Sequence, residues 1–369
     1  MTASSTPERA QSAPPSRAGA GRMRAVRVHA PGDLRVDDVA VPRPADGEVL
    51  LRVLAAGVCA TDRKLHARGA PDGAVRTLGH EIVAEVAVAV EGGLAVGSRV
   101  AVAPNLGCGQ CSACAEGATN LCPDYRAFGI HVDGGMAEYL LAARAAVERG
   151  HLLRVPDGLP TLEAITMEPL ACCLEGLQAT SLQPGESVLV VGGGVMGRLH
   201  VVAARALGAG TVILSDNNES RVAHARALGA DVAVRADADL LSAVHEATGG
   251  AGVDVAAVTI GSASAAETAL AALARGGRLN LFAGFAPDDA HLRIDANDVH
   301  YRRLQVTGTS GASTTTLRRT LDLLASRRVA LGGIVSSVRS WDEADIAFRE
   351  AGETKHARVV LAPEQGTRP

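Results

Sequence analysis

The sequence predicts an α/β protein in two parts: a mostly β lobe followed by a doubly wound parallel sheet. Three observations carry this expectation. From Met23 to about Val155, short Val- and Ala-rich runs are broken by Gly, Pro and Asp, the pattern of strands joined by turns. From Ser187 onward, apolar strands alternate with helical segments, as a parallel sheet requires. Between the first such strand and its helix stands Gly192-x-Gly194-x-x-Gly197. The 369 residues fit two domains, and 47% hydrophobic residues suffice for ordinary cores without disulfide staples.

Along the chain, residues 1–22 are rich in Ser, Ala, Pro and Arg and lack an apolar stretch, so a disordered tail is expected rather than a secretory signal. Met23 to Val28, Glu48 to Val53 and Ile82 to Val86 read as strands of the first lobe. Near Thr161 the pattern turns helical and stays apolar through Leu177, which predicts a hinge helix between the lobes. Strands are then expected over Val188 to Val191, Val212 to Ser215, Val253 to Ile260, Arg278 to Phe282 and Leu304 to Gly308. Helices are expected over Val195 to Leu207 and Ser220 to Leu228. After Gly311 a helix from Thr314 to Arg327 and a strand from Arg358 to Leu361 are too few for a further domain and should return to the first lobe. The expected division is residues 23–168 with 312–369 for that lobe, and 169–311 for the parallel-sheet domain.

Composition excludes several function classes. A formal net charge of −4 and 2% aromatic residues leave neither the electrostatic footprint nor the stacking platforms of a nucleic-acid binder. No apolar run approaches the roughly 20 residues that span a membrane. Seven cysteines, an odd number with a metal-type cluster, suit a reducing cytoplasm better than a secreted disulfide framework.

That cluster is Cys108-x2-Cys111-x2-Cys114-x7-Cys122. Four thiolates at such spacing can converge on one tetrahedral zinc, and a closed four-sulfur site is structural because no position is left for substrate. Cys59, His80, Glu81 and Glu168 form a second candidate set, of the mixed donors a catalytic zinc uses; one glutamate would be labile or act through water. Glu168 can alternatively be a helix N-terminal charge favoured by the dipole. In the glycine fingerprint, Gly192 permits the tight turn, Gly194 lets backbone approach a pyrophosphate, and Gly197 allows close helix packing; Val195 and Met196 open the helix whose amides hold phosphate. Asp216 follows at the spacing of a ribose-binding acid. Its charge would repel a 2′-phosphate, with no paired arginine beside it, so NAD is expected over NADP. Arg221 would lie against the adenine edge. A plain helix N-cap is the other use of Asp216.

The ordered motifs Gly57-Val58-Cys59-Ala60-Thr61-Asp62, Gly79-His80-Glu81, the four-cysteine loop, Glu168-Pro169-Leu170 and the glycine fingerprint resemble the zinc-dependent medium-chain dehydrogenase/reductase family, from Met23 to Leu361. Gly-His-Glu with Glu-Pro-Leu is similar to its polyol branch, which includes sorbitol and threonine dehydrogenases. The resemblance implies a GroES-like catalytic domain, a Rossmann cofactor domain, two zinc ions, NAD, and oxidation of a polyol, sugar alcohol or cyclitol by a homo-oligomer, dimer or tetramer. It implies that Thr61 takes the alcohol proton and that Asp62 orients the site. Five residues after the zinc cysteine, where the family often has a proton-relaying histidine, stands Lys64, with His66 two further on. Cys172 and Cys173 read as packing residues. A metal-free NADPH reductase of quinones or enones, and a non-catalytic zinc-stabilised binding protein, are the rival readings.

Overall fold

The computed structural model describes residues 21–236, 239–353 and 357–363. The expected tail, residues 1–22, lies almost entirely outside them. The parallel sheet has the order Val232–Arg235, Val212–Asp216, Val188–Val191, Val253–Val258, Leu273–Leu281, Gln305–Gly308, with every pairing parallel. The chain therefore reverses its winding between Val188–Val191 and Val253–Val258, the switch point at which such sheets take ligands. All four residues of Val188–Val191 are buried, as both faces of a parallel sheet must be covered. Val188 and Val190 pack with helices Met167–Ala179 and Val195–Ala206, whereas Leu189 and Val191 pack with Leu240–Ala247 and Ala263–Ala271. Period-two alternation thus divides one apolar run between two cores.

The first lobe holds a seven-stranded sheet centred on Val49–Val58, which pairs antiparallel with Glu81–Val88, Tyr139–Ala142 and the late strand Arg358–Leu361. Val335–Arg339 and helix Ala344–Glu350 precede that late strand and join the same lobe, two elements the sequence pattern does not announce. Register places Gly57 opposite Glu81 and Val58 opposite Val359. Arg358 consequently enters the sheet beside the motif strands.

The hinge is two helices, Thr161–Ala164 and Met167–Ala179, rather than the single one expected. Pro169 explains the break. It has no N–H to give to the Ile165 carbonyl, so it is tolerated only in the first turn of a new helix. Glu168 thereby falls in the first turn of the second helix and is nearly buried.

Candidate active site

Cys59 precedes helix Ala60–Arg68, at the end of Val49–Val58, while His80 and Glu81 begin the adjacent strand. One ligand atom from each of Cys59, His80 and Glu81 lies within 4.8 Å of the others. Asp62, fully buried, organises this corner: Oδ2 accepts the Cys59 amide at 2.8 Å, Oδ1 accepts the Gly79 amide at 3.1 Å, and Oδ1 stands 3.5 Å from His80 Nδ1. A carboxylate behind one imidazole nitrogen leaves the other for a metal. Gly57 is required by close approach, since a Cβ there would stand 2.1 Å from Glu81 Oε2.

Glu81 is sealed from solvent, and burial pushes its carboxyl up to about 7. Arg358 opposes that shift, with Nη1 2.8 Å from Glu81 Oε1. For His80, burial works against the charged form, but Asp62 and Cys59 outweigh it and hold the imidazole well above its ordinary value. Glu81 Oε2 is buried without a hydrogen-bond partner. A thiolate, an imidazole and an orphaned carboxylate oxygen are a donor set that fits zinc.

Glu168 lies outside this three-residue group, as a glutamate that acts through water would. It starts its helix, and its Oε1 accepts the Cys172 thiol one turn on at 3.3 Å. Cys172 is therefore a partner of Glu168 as well as a packing residue. Thr61 is half-buried in the first turn after Cys59. Lys64 is exposed, and His66 packs edge-on against Phe348 with centroids 5.9 Å apart, so the structure brings neither side chain into the Cys59 group. Arg358 was missed in the sequence. Its signal is a cation at the head of the wholly buried run Arg358–Leu361, which requires a partner.

The sulfurs of Cys108, Cys111, Cys114 and Cys122 also lie within 4.8 Å of one another. The Cys108 amide points at Cys122 Sγ, 3.2 Å away, and the Gln110 and Cys111 amides bring the Cys108 thiol down to about 7. Gly107 makes room for the cluster, as a Cβ there would stand 2.3 Å from Cys114 Sγ.

At the switch point, Gly194 caps helix Val195–Ala206, whose first turn carries Val195, Met196 and Gly197. Gly192 has φ of 101°, and a Cβ on Gly197 would come 1.7 Å from the Gly192 carbonyl, so both positions exclude a side chain. A cavity of ≈ 580 Å³ opens beside them, lined among others by Gly192, Asp216, Asn217, Arg221 and Ile260. Asp216 ends strand Val212–Asp216 and is not the N-cap; Asn218 caps the next helix. Its Oδ2 accepts the Gly193 amide at 2.6 Å and its Oδ1 the Asn218 amide at 2.8 Å. Arg221 corrects the sequence reading: Nη1 lies 3.5 Å from Asp216 Oδ2, so an arginine does pair with the acid. Arg198 was also missed; it is nearly buried, bonded to Gly194 O and within 2.7 Å of His224 Nδ1. Burial, with Arg221 nearby, brings its guanidinium down to about 10.

The family model for the alcohol dehydrogenase GroES-like domain matches residues 45–156, and that for zinc-binding dehydrogenase matches residues 195–326. The chain is similar to sorbitol dehydrogenase of Bacillus subtilis (strain 168), 30% identical over 353 residues that cover 93% of this chain and 98% of that protein. It is 35% identical to D-altritol 5-dehydrogenase of Agrobacterium fabrum over 295 residues, 78% of this chain and 83% of that one. Among solved structures, a putative zinc-binding dehydrogenase from Sinorhizobium meliloti 1021 bound to NADP matches with a TM-score of 0.85 and 32% identity, covering 93% of this chain and 99% of that chain.

Proposed function

Because the chain belongs to the zinc-type medium-chain alcohol dehydrogenase family, we propose that it oxidises a secondary alcohol of the polyol, sugar-alcohol or cyclitol class reversibly to a ketone, with NAD as hydride acceptor. The carrying observation is the buried convergence of Cys59, His80 and Glu81 with Asp62 behind them. These three would hold a catalytic zinc, which supplies the Lewis acidity that lowers the pKa of an alcohol. Cys108, Cys111, Cys114 and Cys122 would hold a second, structural ion.

In this reading Asp62 orients the ligands, Thr61 accepts the alcohol proton, and Glu168 faces the site from the hinge helix. Gly192 makes the tight turn, Gly197 lets the helix pack close, and Gly194 leaves open space for the pyrophosphate, which the Val195 and Met196 amides meet at the helix N-terminus. Asp216, held by two amides, takes the ribose hydroxyls and disfavours a 2′-phosphate. Holding alcohol and nicotinamide together is the positioning part of the rate enhancement. The relatives named sorbitol and D-altritol dehydrogenases support the substrate class. A metal-free quinone reductase has no use for the Cys59 group.

No helix among the described residues is long and apolar enough to cross a membrane. The seven free cysteines support a reducing, cytoplasmic setting. Among the described residues, strand Gln305–Gly308 pairs on one side only, which leaves an edge for the proposed homo-oligomer. The test is a panel of polyols, cyclitols and amino alcohols scored by NADH absorbance. Turnover of a secondary polyol supports the reading, and zinc-free reduction of enones with NADPH overturns it.

A further inference from the structure

Residues 309–313 leave the carboxyl end of the edge strand Gln305–Gly308 and lead into helix Thr314–Ala325. Side chains of the cysteine-rich lobe grip this crossing. Asn120 Nδ2 donates to the Ser310 carbonyl at 3.2 Å, Asn105 Nδ2 donates to the Ala312 carbonyl at 2.9 Å, and Thr119 Oγ1 lies 3.3 Å from Thr314 Oγ1. Asn105 is itself held, because the Tyr125 hydroxyl donates to its Oδ1 at 3.0 Å. Gly311, with φ of 68°, lets the crossing close onto them; a Cβ there would stand 3.1 Å from Asn105 Nδ2.

Thr119 and Asn120 belong to the short turn Thr119–Leu121, between Cys114 and Cys122. The loop that the four thiolates gather is thus the loop that reaches the crossing. From the other side, Thr309 Oγ1 donates to Asn280 Oδ1 on the neighbouring strand at 3.3 Å, and Ser313 caps the following helix. The crossing is bound to both lobes.

Its place in the sheet says what it serves. A doubly wound sheet is two mononucleotide-binding halves, each presenting the carboxyl ends of its strands to one nucleotide. Asp216 ends a strand of the first half, with Val188–Val191 and Val232–Arg235, and claims the adenosine end. Val253–Val258, Leu273–Leu281 and Gln305–Gly308 form the second half, so residues 309–313 leave the sheet on the nicotinamide side.

We infer that the four-cysteine loop, besides folding its lobe, positions the nicotinamide-side segment 309–313 through Asn120, Thr119 and Asn105, and so sets the grip on the nicotinamide half of the cofactor. The inference rests on the dehydrogenase reading above. Asn105, Thr119 and Asn120 are positioning residues; they act through the segment and not on the reacting atoms.

The test is a pair of binding titrations on the zinc-loaded protein, with NADH read by nicotinamide fluorescence and with ADP-ribose, which lacks the nicotinamide, read by calorimetry. In Asn120→Ala the NADH dissociation constant should rise about three- to tenfold, the effect of losing one hydrogen bond of ordinary net strength, while ADP-ribose binding stays at the wild-type value. Thr119→Val, which keeps the shape and removes the hydroxyl, should move in the same direction. Unchanged NADH affinity in both variants overturns the inference, and so does parallel weakening of ADP-ribose. A wild-type protein that binds neither probe refutes the dehydrogenase reading itself, and the inference with it. Should the wild type bind NADPH in preference, the NAD assignment falls, and the same outcomes with NADPH and 2′-phospho-ADP-ribose decide the inference.

Discussion

Arg358 Nη1 lies 2.8 Å from Glu81 Oε1, with side-chain exposures of 4% and 0%. The pair joins the C-terminal strand to the first candidate metal group. Removing one member of a buried ion pair leaves the other uncompensated, so Arg358→Met should destabilise the fold by about 3–5 kcal/mol. Glu81, already raised to about 7 by burial, would rise further once the arginine that opposes the shift is gone. A zinc ligand must lose its proton, so zinc uptake at the Cys59 group fades as pH falls through the Glu81 pKa, and the variant should need a higher pH. Zinc titrations of wild type and variant that coincide across pH 6–8 would refute this.

The two cysteine sets should separate by phenotype. Cys111→Ser would open the proposed structural site and should lower the melting temperature of the first lobe. Cys59→Ser should abolish turnover while circular dichroism and NADH binding remain near wild type. Metal analysis of fully loaded wild type should give two zinc ions per chain; a value near one would count against the pair of sites.

In the proposed function Asp216 would carry the cofactor preference, with Arg221 standing 3.5 Å away. Asp216→Ala should narrow the NAD-over-NADP ratio of kcat/KM mainly through a higher KM for NAD, on the order of tenfold for one charge-assisted bond of ~1.5 kcal/mol. A lower Michaelis constant for NADP than for NAD in the wild type would show that Asp216 does not select against the 2′-phosphate.

Glu168 is held by the Cys172 thiol at the head of the hinge helix. If its charge is used in the alcohol site, Glu168→Gln keeps folding and NAD affinity but lowers kcat by about 10²-fold or more, the scale of a positioned acid–base group. Wild-type turnover with unchanged zinc content would leave Glu168 as a helix-end charge only.

Features set by near neighbours were legible before any fold was known. The four cysteines meet because their short spacings let one loop gather them. Gly192 and Gly197 exclude a Cβ because a strand turns into a helix within six residues of chain. Strand Val188–Val191 stands where its apolar run stands, since burial on both faces leaves no polar residue to blur its ends. The hinge is two helices where the pattern predicts one, because the apolar run continues through Ile165 while Pro169 cannot continue the hydrogen-bond ladder.

Pairings across distance belonged to the tertiary structure alone. Nothing local to Arg358 names Glu81; strand register does, by setting Val359 opposite Val58 and Gly57 opposite Glu81. Nothing local to Asp216 shows that Arg221 turns back on it, and nothing local to His66 shows that it packs on Phe348. The sequence by itself determined which chemical groups the chain carries and the local geometry that spacing imposes. Packing decided which groups meet, because a buried charge must find its partner wherever the fold brings one within reach.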